Sequence, residues 1–72
     1  MPLERFAVGQ RVRLVRPRMV FRPYAEEYGL IGETAIVRAV YGDGLAGVIF
    51  DKNNCAETLY PDECEEIEDG NF

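Results

Sequence analysis

Arg16, Arg18 and Arg22 fall within one stretch of seven residues, with Phe21, Tyr24 and Tyr28 interleaved or close behind. Guanidinium groups beside aromatic rings suit three kinds of contact: with phosphate, with stacked bases, and with the anchoring pockets of protein interfaces. Arg11 and Arg13 extend the same basic character upstream. The candidate binding set is therefore Arg11, Arg13, Arg16, Arg18, Phe21, Arg22, Tyr24 and Tyr28. A structural reading competes with the functional one: the rings pack inward, and the arginines pair with acids of the last strand. The residues alone leave both open.

Catalysis has little to work with. The chain holds no histidine and no serine, so a cysteine nucleophile lacks its usual base, and no pair of carboxylates is singled out by spacing. Cys55 and Cys64 are separated by eight residues without further ligands, which does not make a zinc set. Both are expected as reduced thiols, Cys64 buried as a small apolar residue. The run from Asp62 to Asp69 has six acids in eight residues but neither the spaced oxygens nor the central glycine of a calcium loop, so a solvated face is expected. No metal and no cofactor are expected. The acidic run also offers a mimic of nucleic-acid charge toward a basic protein.

The net charge of −5 hides an uneven distribution. Residues 1–22 carry six arginines against Glu4, and residues 23–72 carry Arg38 and Lys52 against twelve acids. Such asymmetry marks either a basic surface beside an acidic one or opposite charges that meet across a small fold and cancel. Met1-Pro2-Leu3-Glu4 has no signal-peptide pattern, and the apolar run Val48-Ile49-Phe50 is far too short to span a bilayer. A cytoplasmic protein without membrane contact is expected.

These side chains must be positioned by short strands. Val12 and Leu14 alternate with Arg11 and Arg13, the period of two that a strand buried on one face requires, and a first strand is predicted over Arg11–Arg16. Phe6 and Val8 can pack ahead of it. Pro17 and Pro23 interrupt pairing, so Pro17–Gly29 reads as one long irregular loop, part of which must fold back because it holds Met19, Val20, Phe21, Tyr24 and Tyr28. Ala25–Tyr28 could form one helical turn closed by a left-handed Gly29. Further strands are predicted over Gly32–Val40, Leu45–Phe50 and Cys55–Leu59, joined by turns at Tyr41-Gly42-Asp43-Gly44 and Asp51-Lys52-Asn53-Asn54. Pro61 opens a short 3₁₀-type turn before a last strand, Cys64–Ile67, that would close the sheet on the first. The expected core is Val12, Leu14, Val37, Val48, Phe50 and Ile67. One domain is expected over residues 1–72, folded from about 6 to 67, with 68–72 as a tail. The expected fold is all-β: an SH3-like five-stranded small barrel with a long first loop, which would leave few exposed edges.

Phe6-x-x-Gly9-Gln10-x-Val12-x-Leu14, then Gly29-x-x-Gly32-x-Thr34-x-x-Val37, then Val48-x-Phe50-Asp51 resemble the KOW-like and related SH3-like small barrels. Many of these serve in ribosomal, transcription-associated or other bacterial and phage accessory proteins. Gly9-x-x-Val12-Arg13-Leu14-x-Arg16-Pro17 and Phe50-Asp51 are similar to the small ferredoxin-docking subunits of photosystem I, in which basic residues steer an acidic partner. Both resemblances imply an accessory role. From the residues themselves the leading expectation is a non-catalytic docking module whose Arg/aromatic loop binds a protein with an acidic or phosphate-bearing surface. The alternative is a nucleic-acid-binding module of KOW-like type, which the negative net charge disfavours.

Overall fold

A computed structural model describes residues 4–67. Five strands, β1 (Arg11–Leu14), β2 (Thr34–Val40), β3 (Ala46–Phe50), β4 (Ala56–Leu59) and β5 (Cys64–Glu66), form one antiparallel sheet in the order β4-β3-β2-β1-β5. A helix, α1 (Arg22–Glu27), lies between β1 and β2, and a 3₁₀ turn (Pro61–Glu63) leads into β5. The all-β expectation holds, and every predicted strand is present with its ends trimmed by one or two residues. The last strand does pair with the first, Leu14 opposite Cys64 and Val12 opposite Glu66. The sheet nevertheless does not close: β4 and β5 remain edges instead of meeting each other.

Alternation decides which side chains are buried. Val12 and Leu14 of β1, Ala35 and Val37 of β2, Ala46, Val48 and Phe50 of β3, Leu59 of β4 and Cys64 of β5 share one face and form the core. Phe6, Ala25 and Leu30 cover that face from the lead-in and the first loop. Val8, expected to pack, is exposed instead. Ile67 is a second correction. Its N–H donates to the Arg11 carbonyl at 3.0 Å, and with Glu66 opposite Val12 this puts Ile67 opposite Arg11, on the outer face and half-buried. A single step of parity separates it from the core.

Two turns follow the predicted chemistry. The Tyr41 N–H donates to the Leu45 carbonyl at 2.8 Å with Gly44 at φ +89°, and Asn54 takes a left-handed φ of 58° in the turn from β3 to β4. Between Val37 and Ala39 the β2–β3 register shifts, leaving Arg38 as the extra residue of a bulge.

The first loop is not irregular throughout, as the two prolines suggested. Pro23 sits in the first turn of α1, where its missing N–H costs nothing, so the helix begins three residues earlier than expected. Its end is as expected: Gly29 takes φ +64°, its N–H reaches the Glu26 carbonyl at 3.2 Å and the Leu30 N–H reaches that of Ala25 at 2.8 Å, a Schellman closure. Lys52 Nζ donates to the Gly29 carbonyl at 3.1 Å, a cation placed on the helix's negative end. Residues 1–3 and the acidic tail expected over 68–72 lie outside the described residues.

Candidate functional site

The loop over residues 15–33 carries most of the predicted binding residues, and its base is tied at two levels. Gly32 N–H donates to the Leu14 carbonyl at 2.7 Å and Leu14 N–H to that of Glu33 at 3.1 Å, which pins the two ends of the loop together. Above them, the Val15 and Arg16 N–H groups both donate to the Glu63 carbonyl at 2.9 Å, which takes the chain out of the β1–β5 ladder and explains why β1 stops at Leu14. Ala25 and Leu30 then anchor the upper loop by packing into the core, so the segment is held along its length.

Glu63 is the hub of this arrangement. It is only 3% exposed, and its carboxylate accepts from the Arg18 N–H at 3.0 Å through Oε1 and from the Tyr60 N–H at 3.1 Å through Oε2. The Arg18 guanidinium adds ion pairs at 3.8 Å to Glu63 and 3.6 Å to Asp62, and lies 3.6 Å from the centre of the Tyr60 ring. The sequence shows Glu63 only as one more acid of a short turn. The available signal was the spacing Tyr60-x-x-Glu63, in which a glutamate reaches back to the N–H that starts the turn.

The predicted arginines are brought together with acids of this chain. Arg11 pairs with Asp51, which also accepts from Thr34 Oγ1 at 2.6 Å; Arg13 faces Glu65 at 3.9 Å; Arg16 Nε donates to the Asp62 carbonyl at 3.2 Å; Arg22 faces Glu26 at 3.9 Å along α1. Arg11 and Arg13 lie on the outer face of the sheet, while Arg16, Arg18 and Arg22 lie along the loop. The eight residues therefore do not form a single patch. Much of the basic stretch meets the acids that composition placed downstream, as the cancellation reading expected.

The three rings behave differently. Phe21 is half-buried against the core and stacks on Tyr24 with centroids 5.7 Å apart, and Tyr24 meets Tyr28 at 4.5 Å. Tyr24 and Tyr28 present exposed edges. Tyr24 Oη lies 3.9 Å from Cys55 Sγ, and its phenol is pushed up by hydrogen bonding to Cys55 and then to Glu57. The sequence presents Met19 and Val20 only as part of an apolar stretch expected to fold back in part. They stand out at 88% and 91% exposed, while Phe21, Ala25 and Leu30 carry the packing.

The two cysteines are free thiols. Cys64 is fully buried, and burial, reinforced by the neighbouring Glu63 charge, pushes its thiol up to about 12, the opposite of what a reactive nucleophile needs. Among the described residues no cluster of three or more potential ligands is placed to hold a metal, and no helix is long and apolar enough to cross a membrane. Comparison with protein-family models, with curated proteins and with solved structures gives no match.

Proposed function

We propose that this chain is a small non-catalytic docking module of SH3-like type that engages a protein partner through the tip of its first loop. The observation that carries the reading is the display of Met19 and Val20 at 88% and 91% exposure on a segment otherwise tied to the fold. Apolar side chains held in water stabilise nothing in the free protein, and a partner that covered them would recover their transfer free energy, about 25 cal/mol per Å². Tyr24, Tyr28 and Ile31, all exposed on the same loop, extend the apolar and aromatic character. Support for the SH3-like description comes from the five antiparallel strands, the long first loop and the 3₁₀ turn before β5. The pairing of Arg11, Arg13, Arg18 and Arg22 with acids favours a protein over a nucleic acid, because a phosphate backbone responds to uncompensated positive charge.

The test compares tagged wild type with a Met19→Ser/Val20→Ser variant in pulldowns from native lysate, with and without nuclease. Both side chains lie in water, so the variant should keep its circular dichroism and melting temperature. A protein retained by wild type after nuclease and lost by the variant is the expected result. Equal retention by both would overturn the loop assignment. Retention of nucleic acid, with affinity falling steeply in salt, would favour the KOW-like alternative.

A further inference from the structure

β4 ends the sheet and pairs on one side only. The Phe50 N–H donates to the Cys55 carbonyl at 2.9 Å, which sets the parity of the ladder. Hydrogen-bonded pairs alternate in an antiparallel ladder, so Cys55, Glu57 and Leu59 turn their peptide groups toward β3, while Ala56 and Thr58 turn theirs toward the open edge. Edges are commonly blunted by lysine, proline, a bulge or an inward-pointing charge, and β4 has the last of these in Glu57, which an added strand must answer with a basic residue. β4 reads Ala-Glu-Thr-Leu, and its register with β3 runs without a shift.

Beside this edge the outer face of the sheet is hollow. A groove of about 290 Å³ crosses from β2 to β4, lined by Arg38, Ala39, Tyr41, Gly47, Ile49 and Thr58 among others. Gly47 provides its floor, and the Tyr41 side chain leans over it: a Cβ at position 47 would lie 2.9 Å from Tyr41 Oη. Arg38, on the β2 bulge at the groove's rim, is exposed and makes no ion pair among the described residues. On the inner face of the same edge, Glu57 stands half-buried beside the Tyr24 phenol.

We infer that β4 accepts an extended peptide of a protein partner as a sixth strand, carrying an acidic side chain along the groove to Arg38 and a basic one opposite Glu57. The main-chain groups of Ala56 and Thr58 supply the pairing, as in other strand additions. Side chains of an added strand alternate between faces, so the residue opposite Thr58 enters the groove and its neighbour meets Glu57 and the Tyr24 ring. A second copy of this chain fits less well. The self-pairing that sets Ala56 opposite Thr58 puts Glu57 opposite Glu57, and like charges directly opposite are destabilising. This surface shares the Tyr24 ring with the loop but neither Met19 nor Val20, so the Met19→Ser/Val20→Ser variant separates the two readings.

The experiment is a titration of isotope-labelled protein, followed by NMR, with the capped peptide Thr-Val-Glu-Lys-Thr-Val-Thr. The expected result is shifts and slowed amide exchange at Ala56 and Thr58, in wild type and in Met19→Ser/Val20→Ser alike. Arg38→Ala should weaken binding about tenfold. Methylating the peptide nitrogens of the glutamate and of the threonine after the lysine should abolish it, whereas methylating those of the lysine and of the second valine should not. No response at Ala56 and Thr58 up to about 5 mM peptide would overturn the proposal. So would equal binding of the two methylated peptides, or a dimer in sedimentation with both amides already protected.

Discussion

Removing the Glu63 carboxylate is the sharpest test of how the first loop is held. In Glu63→Ala the Arg18 and Tyr60 N–H groups, bonded at 3.0 and 3.1 Å, lose a charged acceptor, while the backbone carbonyl that receives Val15 and Arg16 remains. Hydrogen bonds to charged groups are each worth about 1.5–3 kcal/mol, and since both donors are only part-buried the lower figure applies, about 3 kcal/mol together. A domain of this size has about 4–11 kcal/mol in total, so the loss is a large share of it. At about 4–8 °C per kcal/mol the melting temperature should fall by about 12–24 °C. Urea denaturation followed by far-UV circular dichroism gives the stability, and hydrogen exchange at the Arg18 and Tyr60 amides locates the change. Arg18→Met is the companion variant: it removes the half-exposed ion pairs and the contact with Tyr60 but keeps the backbone bond, and should cost about 1 kcal/mol or less. A Glu63→Ala cost below about 0.5 kcal/mol, or an Arg18→Met cost equal to it, would refute the view that the carboxylate acts through the two peptide N–H groups.

Phe50 is the largest fully buried side chain, and Phe50→Ala should cost about 3–5 kcal/mol, read as a shifted denaturation midpoint with an unchanged slope. Cys64 should resist alkylation in the folded protein under conditions where half-buried Cys55 is modified, and peptide mass mapping separates the two. Its thiol is raised from 9.0 to about 12 in the fold, so the unfolded chain ionises first. The stability tied to this group is therefore full below about pH 9 and declines as the pH climbs toward 12, and the difference between wild type and Cys64→Ala in alkaline denaturation should show that decline.

Strands β1 and β3 were legible because each carries its own period: Val12 and Leu14 against Arg11 and Arg13, Val48 and Phe50 against Gly47 and Ile49. Glycine and asparagine marked the turns for the same local reason, since Gly29, Gly44 and Asn54 occupy conformations that few other residues accept. What was not legible depends on distance along the chain. The type of Ile67 points to the core, but its face is set by where the 3₁₀ turn delivers β5 against β1. Pro23 looks like a breaker in the sequence because its position relative to the start of α1 cannot be known before the helix is. The fate of the arginines depends on which acids meet them in space, and Arg11 with Asp51 or Arg18 with Glu63 are encounters that no local pattern announces.

The β1–β5 pairing bears on when the fold can form. β2, β3 and β4 follow one another through short turns and pair with their sequence neighbours, so this meander requires only quick, local closures. Leu14 and Cys64, by contrast, are about 50 positions apart, and bringing them together spends loop entropy before any contact repays it. The meander can therefore assemble before β1 gains β5 and Glu63 docks beneath the loop. Until then the base of the first loop has no Glu63 to bind, and Met19 and Val20 are carried on a segment not yet tied down. The display of Met19 and Val20 on a tied loop is thus completed at the end of folding, once residues 63–66 have docked against β1.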